Sequence, residues 1–417
     1  MIKNSVLFLS ILFFFACQPV ATNKTEVDVS TDNSVILGID NFLLNYLHMV
    51  AGKKVGLLTN PSGVNGDLQA TSDLLYQHEL VDLIALFGPE HGIRGAVYAG
   101  EKISTSEDAK TGLPVYSLYG KNRKPSEDMF KKINIIVIDI QDIGLRAYTY
   151  IYTMAKVMQA AAEQNKQVIV LDRPNPLGGT HVEGNLVEKK YLSFVGLYPI
   201  PYQHGMTIGE LALLFNTEFN INCNLDVIPM IGWKREMLWD NTGFRWIPTS
   251  PHVPHWQSIL YMGATGTFGE LGILSEGVGY TSPFEIVGAP WIDSEDFSIQ
   301  LNRLNIPGVH FRPLYFKPYY AHYAGQICQG VQLHITDPLV FRPYSTGLHI
   351  MRVHMKLYPE KNLFSKKNRV KMFDKVVGTD QIRKSLEAGA RIQEIENSWL
   401  PELEKFKTKR KKYLLYQ

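Results

Sequence analysis

Short apolar runs alternate with polar turns and helical segments through the first half of the chain. The apolar runs cover residues 55–59, 83–87, 115–118, 135–138 and 168–171. The first of these runs stops at the turn cluster NPSG, and the second stops at GP. Runs that are apolar on both faces, separated by helices, are typical of a parallel sheet covered by helices on both sides. The pattern therefore predicts an α/β, Rossmann-like domain.

Helices are predicted between and after these runs, at residues 68–78, 150–162 and 207–215. Thr207 precedes the third of them, with Glu210 three residues later. A Ser or Thr followed by Glu at this spacing is the capping-box signature of a helix N-terminus.

The chain changes character after Pro254. Residues 263–279 are rich in glycine, residues 313–335 are predicted to form antiparallel strands, and the remainder is predicted to be helical. The last helix, at residues 390–416, carries apolar residues three or four apart that would form one buried stripe: Ile392, Ile395, Trp399, Leu403 and Phe406. A chain of 417 residues is long enough for two cores. We predict a Rossmann-like domain over residues 36–257 and a smaller, mixed α+β domain over residues 258–417.

The first residues are similar to a bacterial lipoprotein signal. A short positive lead precedes an apolar run at residues 6–15, which is too short to span a bilayer as a helix. The run ends at Ala16 and Cys17. We expect residues 1–17 to be a signal peptide, Cys17 to be lipidated, and residues 18–35 to be a flexible tether. The protein would then be exported to the periplasm and anchored to a membrane through this lipid. The alternative is ordinary secretion with cleavage near Ala21.

Composition narrows the possible partners and cofactors. The formal net charge is +2, so no strong field exists to attract nucleic acid, and no obligate protein partner is evident. No Gly-x-Gly-x-x-Gly follows a predicted strand, so a dinucleotide cofactor is not expected. His252 and His255 lie among prolines, which favours a rigid loop over a zinc site. Cys223 and Cys328 are expected to be separate buried thiols, although a disulfide in an oxidising compartment remains an alternative.

Polar clusters follow four of the predicted strands. They contain carboxylates or Asn together with Arg or His: Asn60; Glu90, His91 and Arg94; Asp139, Asp142 and Arg146; Asp172, Arg173, Asn175 and Glu183. In open α/β sheets the ligand crevice lies beyond the carboxyl ends of the strands. Carboxylates in such a crevice suit glycoside hydrolysis, in which one carboxylic acid protonates the leaving oxygen and a second carboxylate assists at the sugar carbon. A serine hydrolase is less favoured because no Gly-x-Ser-x-Gly is present.

The same clusters resemble those of the NamZ-type exo-β-N-acetylmuramidases, a family long described as a domain of unknown function. The most specific similarity is carried by three blocks: GPEHGIRG at residues 88–95, DIQDIGLRAYTY at residues 139–150 and DRPNPLGG at residues 172–179. Further similarity lies in EG at residues 183–184, GMTIGELA at 205–212, SEG at 275–277 and the closing segment 410–416. The resemblance runs from residue 55 to residue 416.

The resemblance implies a Rossmann-like domain, a smaller C-terminal domain and a cleft between them. It implies release of N-acetylmuramic acid from the non-reducing end of peptidoglycan fragments, without metal or nucleotide. Carried onto this chain, it makes Glu90 the general acid/base of an acetamido-assisted, retaining reaction, with Asp142 or Asp139 as the second carboxylate. The expected substrate contacts are Asn60, His91, Arg94, Arg146, Arg173, Asn175, Glu183 and Glu276, the last of which would close the cleft.

Alternatives remain for individual residues and for the whole protein. Arg146 and Arg173 are equally interpretable as ion-pair partners of Asp139 or Asp172. For the protein, the alternatives are a β-N-acetylhexosaminidase of other specificity and a lipoprotein that binds muropeptides without cleaving them.

Overall fold

The computed structural model describes residues 35–95, 106–120 and 122–417. The predicted signal peptide, Cys17 and nearly all of the predicted tether lie outside the described residues. Within those residues no helix has the length and apolar character needed to cross a membrane.

A mostly parallel sheet of seven strands forms the centre of the N-terminal part of the described chain. Its strands are β1 Lys54–Thr59, β2 Asp82–Gly88, β3 Ser106–Glu107, β4 Pro114–Ser117, β5 Ile135–Asp139, β6 Gln167–Leu171 and β7 Asn224–Ile228. Their order is β3-β4-β2-β1-β5-β6-β7, and only the edge pair β3–β4 is antiparallel. The predicted α/β, Rossmann-like fold is confirmed.

Helices cover both faces of this sheet. They are α1 Gly38–Asn45, α2 Thr71–Gln77, α3 Glu127–Phe130, α4 Tyr150–Glu163 and α5 Ile208–Glu218. Successive residues of β5 belong to different cores: Ile135 and Val137 pack with α1 and α2, whereas Ile136 and Ile138 pack with α4 and α5. Because side chains alternate between the faces of a strand, this two-sided burial explains the unbroken apolar runs of the sequence.

The C-terminal part holds a smaller antiparallel sheet and six helices among the described residues. The strands are β8 Ile286–Ala289, β9 Val309–Phe316 and β10 Cys328–Ile335, in the order β8-β10-β9. The helices are α6 Gln257–Leu271, α7 Ser294–Asn302, α8 Pro343–Leu357, α9 Lys367–Val377, α10 Gln381–Glu387 and α11 Ile392–Arg410. The stripe predicted for the last helix is buried in α11. One large apolar cluster contains residues of both parts of the chain.

The helix predicted at residues 68–78 begins later than expected. Leu68 has a φ of +64° and belongs to a turn, and α2 starts at Thr71. The turn forms because the Asn65 side-chain oxygen accepts hydrogen bonds from the backbone of Asp67 at 3.1 Å and Gln69 at 2.8 Å. By contrast, α5 begins at the predicted capping box, with both Thr207–Glu210 hydrogen bonds present.

The glycine-rich segment after Pro254 is mostly a helix, α6, which the sequence pattern did not predict. A side chain at Gly347 of α8 would lie only 2.2 Å from the Ala264 carbonyl oxygen of α6. Glycine at position 347 lets the backbones of α6 and α8 approach closely. The resulting packing stabilises α6 despite the low helix propensity of the glycine-rich segment.

The C-terminal tail folds back onto the N-terminal part. A terminal nitrogen of Arg410 donates to the Gly205 carbonyl at 2.7 Å, and the Tyr416 hydroxyl lies 2.6 Å from a carboxylate oxygen of Asp172. Burial raises the pKa of Asp172 to about 7. Residues 410–416 therefore hold the C-terminal end of the chain against the N-terminal part.

Candidate active site

The order of the strands places β1 between β2 and β5, so the loops that follow these three strands meet at one edge of the sheet. Asn60, in the loop after β1, is 2% exposed, and its side-chain nitrogen donates to the Gln141 carbonyl at 3.4 Å. This contact joins the first loop to the loop after β5. We call the polar residues gathered here the rim cluster: Asn60, Glu90, Asp142, Tyr148 and Tyr150.

Glu90 follows β2 in a tightly constrained turn. The next two residues, His91 and Gly92, have φ values of +71° and +73°. A left-handed His is uncommon and stores strain that its surroundings must hold in place. The Tyr150 hydroxyl lies 3.1 Å from the Glu90 carbonyl and 2.7 Å from the Thr249 carbonyl, so its proton is shared between the two. The Glu90 residue itself is half-buried.

Two tyrosines of the rim cluster stand beside this turn. Their rings, Tyr148 and Tyr150, pack edge to face with centroids 4.7 Å apart. Burial raises the pKa of Tyr148 to about 12. It also raises the pKa of Tyr150, and the charges of Tyr148 and Glu90 raise it further. Both phenols therefore stay protonated near neutral pH. Both tyrosines lie in the DIQDIGLRAYTY block of the sequence, and no role was predicted for either.

Asp142, in the loop after β5, is held by one carboxylate oxygen only. Its Oδ2 accepts from the Gly144 backbone at 2.8 Å and lies 3.3 Å from Nε2 of the buried His204. The Met206 backbone donates to Nδ1 of that histidine, so the neutral ring carries its proton on Nε2, facing Asp142. The Asp142 Oδ1 atom is buried and has no hydrogen-bond partner in the described part of the chain.

Asp139, the other predicted second carboxylate, has a different environment. It is fully buried, and Arg173 Nη2 lies 2.7 Å from its Oδ2 as part of a bidentate ion pair. Thr71 donates to the same oxygen, and Arg173 also donates to the Val64 carbonyl at 2.7 Å. The ion pair considered for Arg173 is therefore present, with Asp139 as its partner, and both residues are occupied within the protein.

Asn175 holds a loop next to the rim cluster in place. Its side-chain nitrogen donates to the Met206 carbonyl at 3.0 Å, and its oxygen accepts from the Leu177 backbone at 2.9 Å. The predicted substrate contact is thus a buried amide that holds the loop carrying His204. The sequence contained no signal that separated this supporting role from direct substrate contact.

Arg146 is not positioned to touch a substrate. It is fully buried, and its terminal nitrogens donate to four carbonyl oxygens at 2.6–3.1 Å. Two of these carbonyls, at Val376 and Val377, end helix α9 of the C-terminal part. The prediction of a substrate contact is corrected: Arg146 joins the two parts of the chain.

Glu183 has a similar joining role. Its carboxylate accepts from the backbone of Tyr344 at 3.2 Å and of Ser345 at 2.9 Å, at the N-terminus of α8. Burial raises its pKa to about 7, against the lowering effect of these two N–H groups. The Tyr344 hydroxyl donates to Asn185 at 2.9 Å. We call this group, Arg146, Glu183, Asn185 and Tyr344, the seam.

Two further predicted substrate contacts, Arg94 and Glu276, lie among other protein residues. Arg94 bridges Asp73 at 2.8 Å and Asp108 at 2.9 Å, and its hydrogen bonds to Asp108 lower the pKa of that carboxyl group to about 2. Glu276 is buried beside helix α6, where burial raises its pKa to about 7 and its nearest charges are Glu270 and Arg369. The structure therefore does not bring Arg94 or Glu276 into the rim cluster.

The proline-rich segment after Thr249 joins the rim cluster to the small domain. His252 lies close to His91, and burial lowers its pKa, with the charge of His91 adding to the effect. The Nε2 atom of His252 lies 3.0 Å from the Tyr320 hydroxyl. No group of three or more His, Cys, Asp or Glu side chains suited to a metal occurs among residues 35–95, 106–120 and 122–417. Cys223 and Cys328 are separate buried thiols, as expected.

Comparisons with known proteins agree over the whole described chain. The N-terminal model of the exo-beta-N-acetylmuramidase NamZ family matches residues 55–257, and its C-terminal model matches residues 259–416. A peptidoglycan beta-N-acetylmuramidase NamZ from Bacillus subtilis (strain 168) is 46% identical over 416 residues, covering 99% of this chain and all of the relative.

Two crystal structures of DUF1343 family proteins from Bacteroides fragilis NCTC 9343 share the fold. The first has a TM-score of 0.88 and 45% identity, and the second has a TM-score of 0.74 and 32% identity. Each match covers 92% of this chain and 99% of the solved chain. Together with the family models, this similarity shows that the chain belongs to the exo-beta-N-acetylmuramidase NamZ family.

Proposed function

We propose that the protein is an exo-acting glycoside hydrolase that releases N-acetylmuramic acid from the non-reducing end of peptidoglycan fragments, by cleaving its β-1,4 bond to N-acetylglucosamine. The observation that carries the proposal is the 46% identity, over nearly the full length of the chain, to a peptidoglycan beta-N-acetylmuramidase. The strand order supports it, because it brings the loops of Glu90 and Asp142 to one edge of the sheet. No metal or nucleotide takes part in the proposed reaction.

Glu90 acts as the general acid and base. It is half-buried and therefore accessible to a bound sugar, while Tyr150 fixes the backbone of its turn. A fixed proton donor of this kind lowers the barrier because it is already oriented toward the leaving oxygen. His91, the next residue, and Asn60, in the loop after β1, are buried at the same edge of the sheet and are the proposed polar contacts of the sugar.

Asp142 is the second carboxylate, in preference to Asp139. Its Oδ2 is held by Gly144 and faces His204, whereas the buried Oδ1 has no partner among the described residues and keeps the capacity to accept a hydrogen bond. In the proposed reaction, the N–H of the substrate's acetamido group donates to it. Asp139 has no comparable capacity, because both of its oxygens are occupied by Arg173 and Thr71.

The reaction then takes two steps. The acetamido oxygen attacks the anomeric carbon while Glu90 protonates the glycosidic oxygen, so the bond to the next sugar breaks and an oxazolinium ion forms, which keeps the amide proton. Asp142 orients the amide and stabilises the positive charge of this ion. The Glu90 carboxylate next removes a proton from water, whose oxygen attacks the same carbon and opens the oxazolinium ring, which restores the neutral acetamide. The product retains its anomeric configuration, and Glu90 is protonated again.

Turnover of chromogenic glycosides tests this proposal. Wild type, Glu90→Gln and the exposed control Glu163→Gln are compared on 4-nitrophenyl β-glycosides of N-acetylmuramic acid and of N-acetylglucosamine. We expect wild type and the control to cleave only the muramic glycoside, and kcat of Glu90→Gln to fall by about 10²- to 10⁴-fold with similar affinity. Cleavage of the glucosamine glycoside would favour the hexosaminidase alternative. Binding by wild type without turnover would favour the muropeptide-binding lipoprotein.

We also propose that the protein is exported and anchored in a membrane through lipid on Cys17. The support is the short apolar run that ends at Ala16 and Cys17. Metabolic labelling with a radioactive fatty acid tests this: the wild-type chain should carry label and sediment with membranes, and Cys17→Ser should lose both properties. Label-free, secreted wild-type protein would instead support cleavage near Ala21.

A further inference from the structure

A group of exposed aromatic residues lies on the small domain. Tyr315, Tyr319 and Ile327 are 65%, 76% and 67% exposed and, with Tyr280 and Lys317, line one shallow depression. We call this surface the tyrosine platform. Large aromatic side chains grouped on a surface are unusual in a soluble protein and typically mark a binding surface.

The platform is held rigidly in shape. The rings of Tyr280 and Tyr319 are stacked, with centroids 6.0 Å apart and planes 15° apart, and buried Phe316 supports Tyr280 from below at 5.8 Å. The Tyr319 backbone donates to the Gly279 carbonyl at 2.7 Å. A side chain at Gly279, whose φ is +93°, would lie 2.0 Å from the Tyr320 carbonyl. Rings fixed in this way lose little conformational entropy on binding.

A residue next to the platform contacts the segment that approaches the candidate active site. The hydroxyl of Tyr320, which is 54% exposed and follows Tyr319, lies 3.0 Å from Nε2 of His252. The charge of His91, the residue after Glu90, acts on that histidine. We expect a ligand that extends from Glu90 past His252 to reach the exposed tyrosines.

We propose that the tyrosine platform binds the part of the glycan strand that remains after the terminal sugar is cleaved. This inference rests on the proposed function, because an exo-acting enzyme takes one terminal sugar into its crevice and the rest of the strand leaves across the surface. The C–H faces of pyranose rings pack on aromatic rings, and tyrosine hydroxyls can bond the sugar hydroxyls. Lys317 complements the lactyl carboxylates that recur along the strand. A membrane-binding surface would instead have a cluster of several basic residues.

The test compares long and short substrates. The substrates are 4-nitrophenyl β-N-acetylmuramide and peptide-free glycan strands with muramic acid at the non-reducing end. The proteins compared are wild type, the double variant Tyr315→Ala/Tyr319→Ala, and Tyr319→Trp. The control is Tyr76→Ala, which changes an exposed tyrosine of α2. We expect the double variant to raise KM for the strands by about tenfold, which corresponds to about 1.4 kcal/mol of binding free energy. Its kcat/KM on the chromogenic glycoside should remain within about twofold of wild type, and Tyr319→Trp should retain strand affinity.

The outcomes separate this inference from the proposed function. Equal losses on both substrates, or no change on either, would overturn the platform proposal while leaving the hydrolase proposal intact. Inactivity of wild type on both substrates would overturn the hydrolase proposal. Calorimetric binding of the strands would then test the platform directly, and an unchanged affinity of the double variant would overturn it. Loss of binding to anionic vesicles, with an unchanged KM for strands, would identify the surface as a membrane contact and also overturn the proposal.

Discussion

The rim cluster and the seam are both built from polar residues that follow apolar strands, but they differ in how many hydrogen bonds they keep within the protein. In the seam, both oxygens of Glu183 accept backbone hydrogen bonds, and the terminal nitrogens of Arg146 are directed at carbonyls, although Arg146 Nε has no partner among the described residues. In the rim cluster, Asp142 keeps one carboxylate oxygen without such a partner, and Glu90 is half-buried. Buried polar groups are normally satisfied, so the two regions differ in their carboxylates: that of Glu183 is fully paired, whereas that of Asp142 can still accept a hydrogen bond.

The largest expected effect is a loss of stability when the seam is changed. Arg146→Met removes the donors to four buried carbonyls, and we expect the free energy of unfolding to fall by about 3–5 kcal/mol. Urea denaturation measures this change, with the exposed Arg303→Met as control. If Arg146→Met does not fold, Arg146→Lys keeps the charge but fewer donors and should show a smaller loss. Unchanged stability together with a higher KM would return Arg146 to the substrate contacts.

The next largest effect distinguishes Asp142 from Asp139, which ends strand β5 three residues earlier. Asp142→Asn should lower kcat by about 10²- to 10³-fold, which is about 3–4 kcal/mol in the activation barrier, with little change in thermal stability. Asp139→Asn should instead lower the free energy of unfolding by about 3 kcal/mol, because it leaves the Arg173 charge buried and unpaired. Steady-state kinetics and thermal melts on both variants make the comparison. The reverse pattern would make Asp139 the second catalytic carboxylate.

A smaller effect concerns His354, on the helix whose N-terminus Glu183 caps. It is fully buried without a hydrogen-bond partner in the described structure, and burial lowers its pKa to about 4. The unfolded chain therefore binds this proton more readily, and stability falls as pH drops from 6.5 toward 4. From pH 7.5 to pH 5, wild type should lose about 2 kcal/mol that His354→Leu does not lose.

Three buried carboxyl groups oppose this trend, so only the difference between the two proteins reports on His354. Burial raises the pKa of Asp172, Glu183 and Glu276 to about 7. Their contribution to stability is complete below the ordinary carboxyl pKa and is lost as pH rises through about 7. These groups are the same in wild type and His354→Leu, so urea midpoints of both proteins at the two pH values isolate the histidine. Equal pH dependence would mean that the folded protein binds this proton as readily as the unfolded chain does, which would contradict the prediction.

The smallest effect is expected at Arg94. Its side chain is 36% exposed and its ion pairs with Asp73 and Asp108 lie near the surface. Arg94→Met should therefore cost less than about 1 kcal/mol of stability and leave KM within about twofold of wild type. A large rise in KM for the muramic glycoside would show that this residue leaves its ion pairs to contact the substrate.

Prediction from sequence worked best where the rule was local. The β5 strand and the Thr207 cap were predictable because an apolar run and a capping pair each act within a few residues. Helix α6 was not, since glycines disfavour a helix and the packing of Gly263 against Pro343 of α8 joins residues about eighty positions apart. In the candidate site, Asn60, Glu90 and Asp142 do meet at one edge of the sheet, as the ends of neighbouring parallel strands must. Their chemical roles remain predictions.

The sequence by itself determined the α/β architecture, the membership of a family and the loops that carry its polar chemistry, because periodicity and short motifs are properties of neighbouring residues. Only the tertiary structure decided which polar residue serves which purpose. Asp139 and Asp142 are three positions apart and alike in chemistry, yet one is neutralised by an arginine from the next loop and the other keeps an oxygen without a partner among the described residues. That difference depends on partners distant in sequence, which only the folded chain brings together.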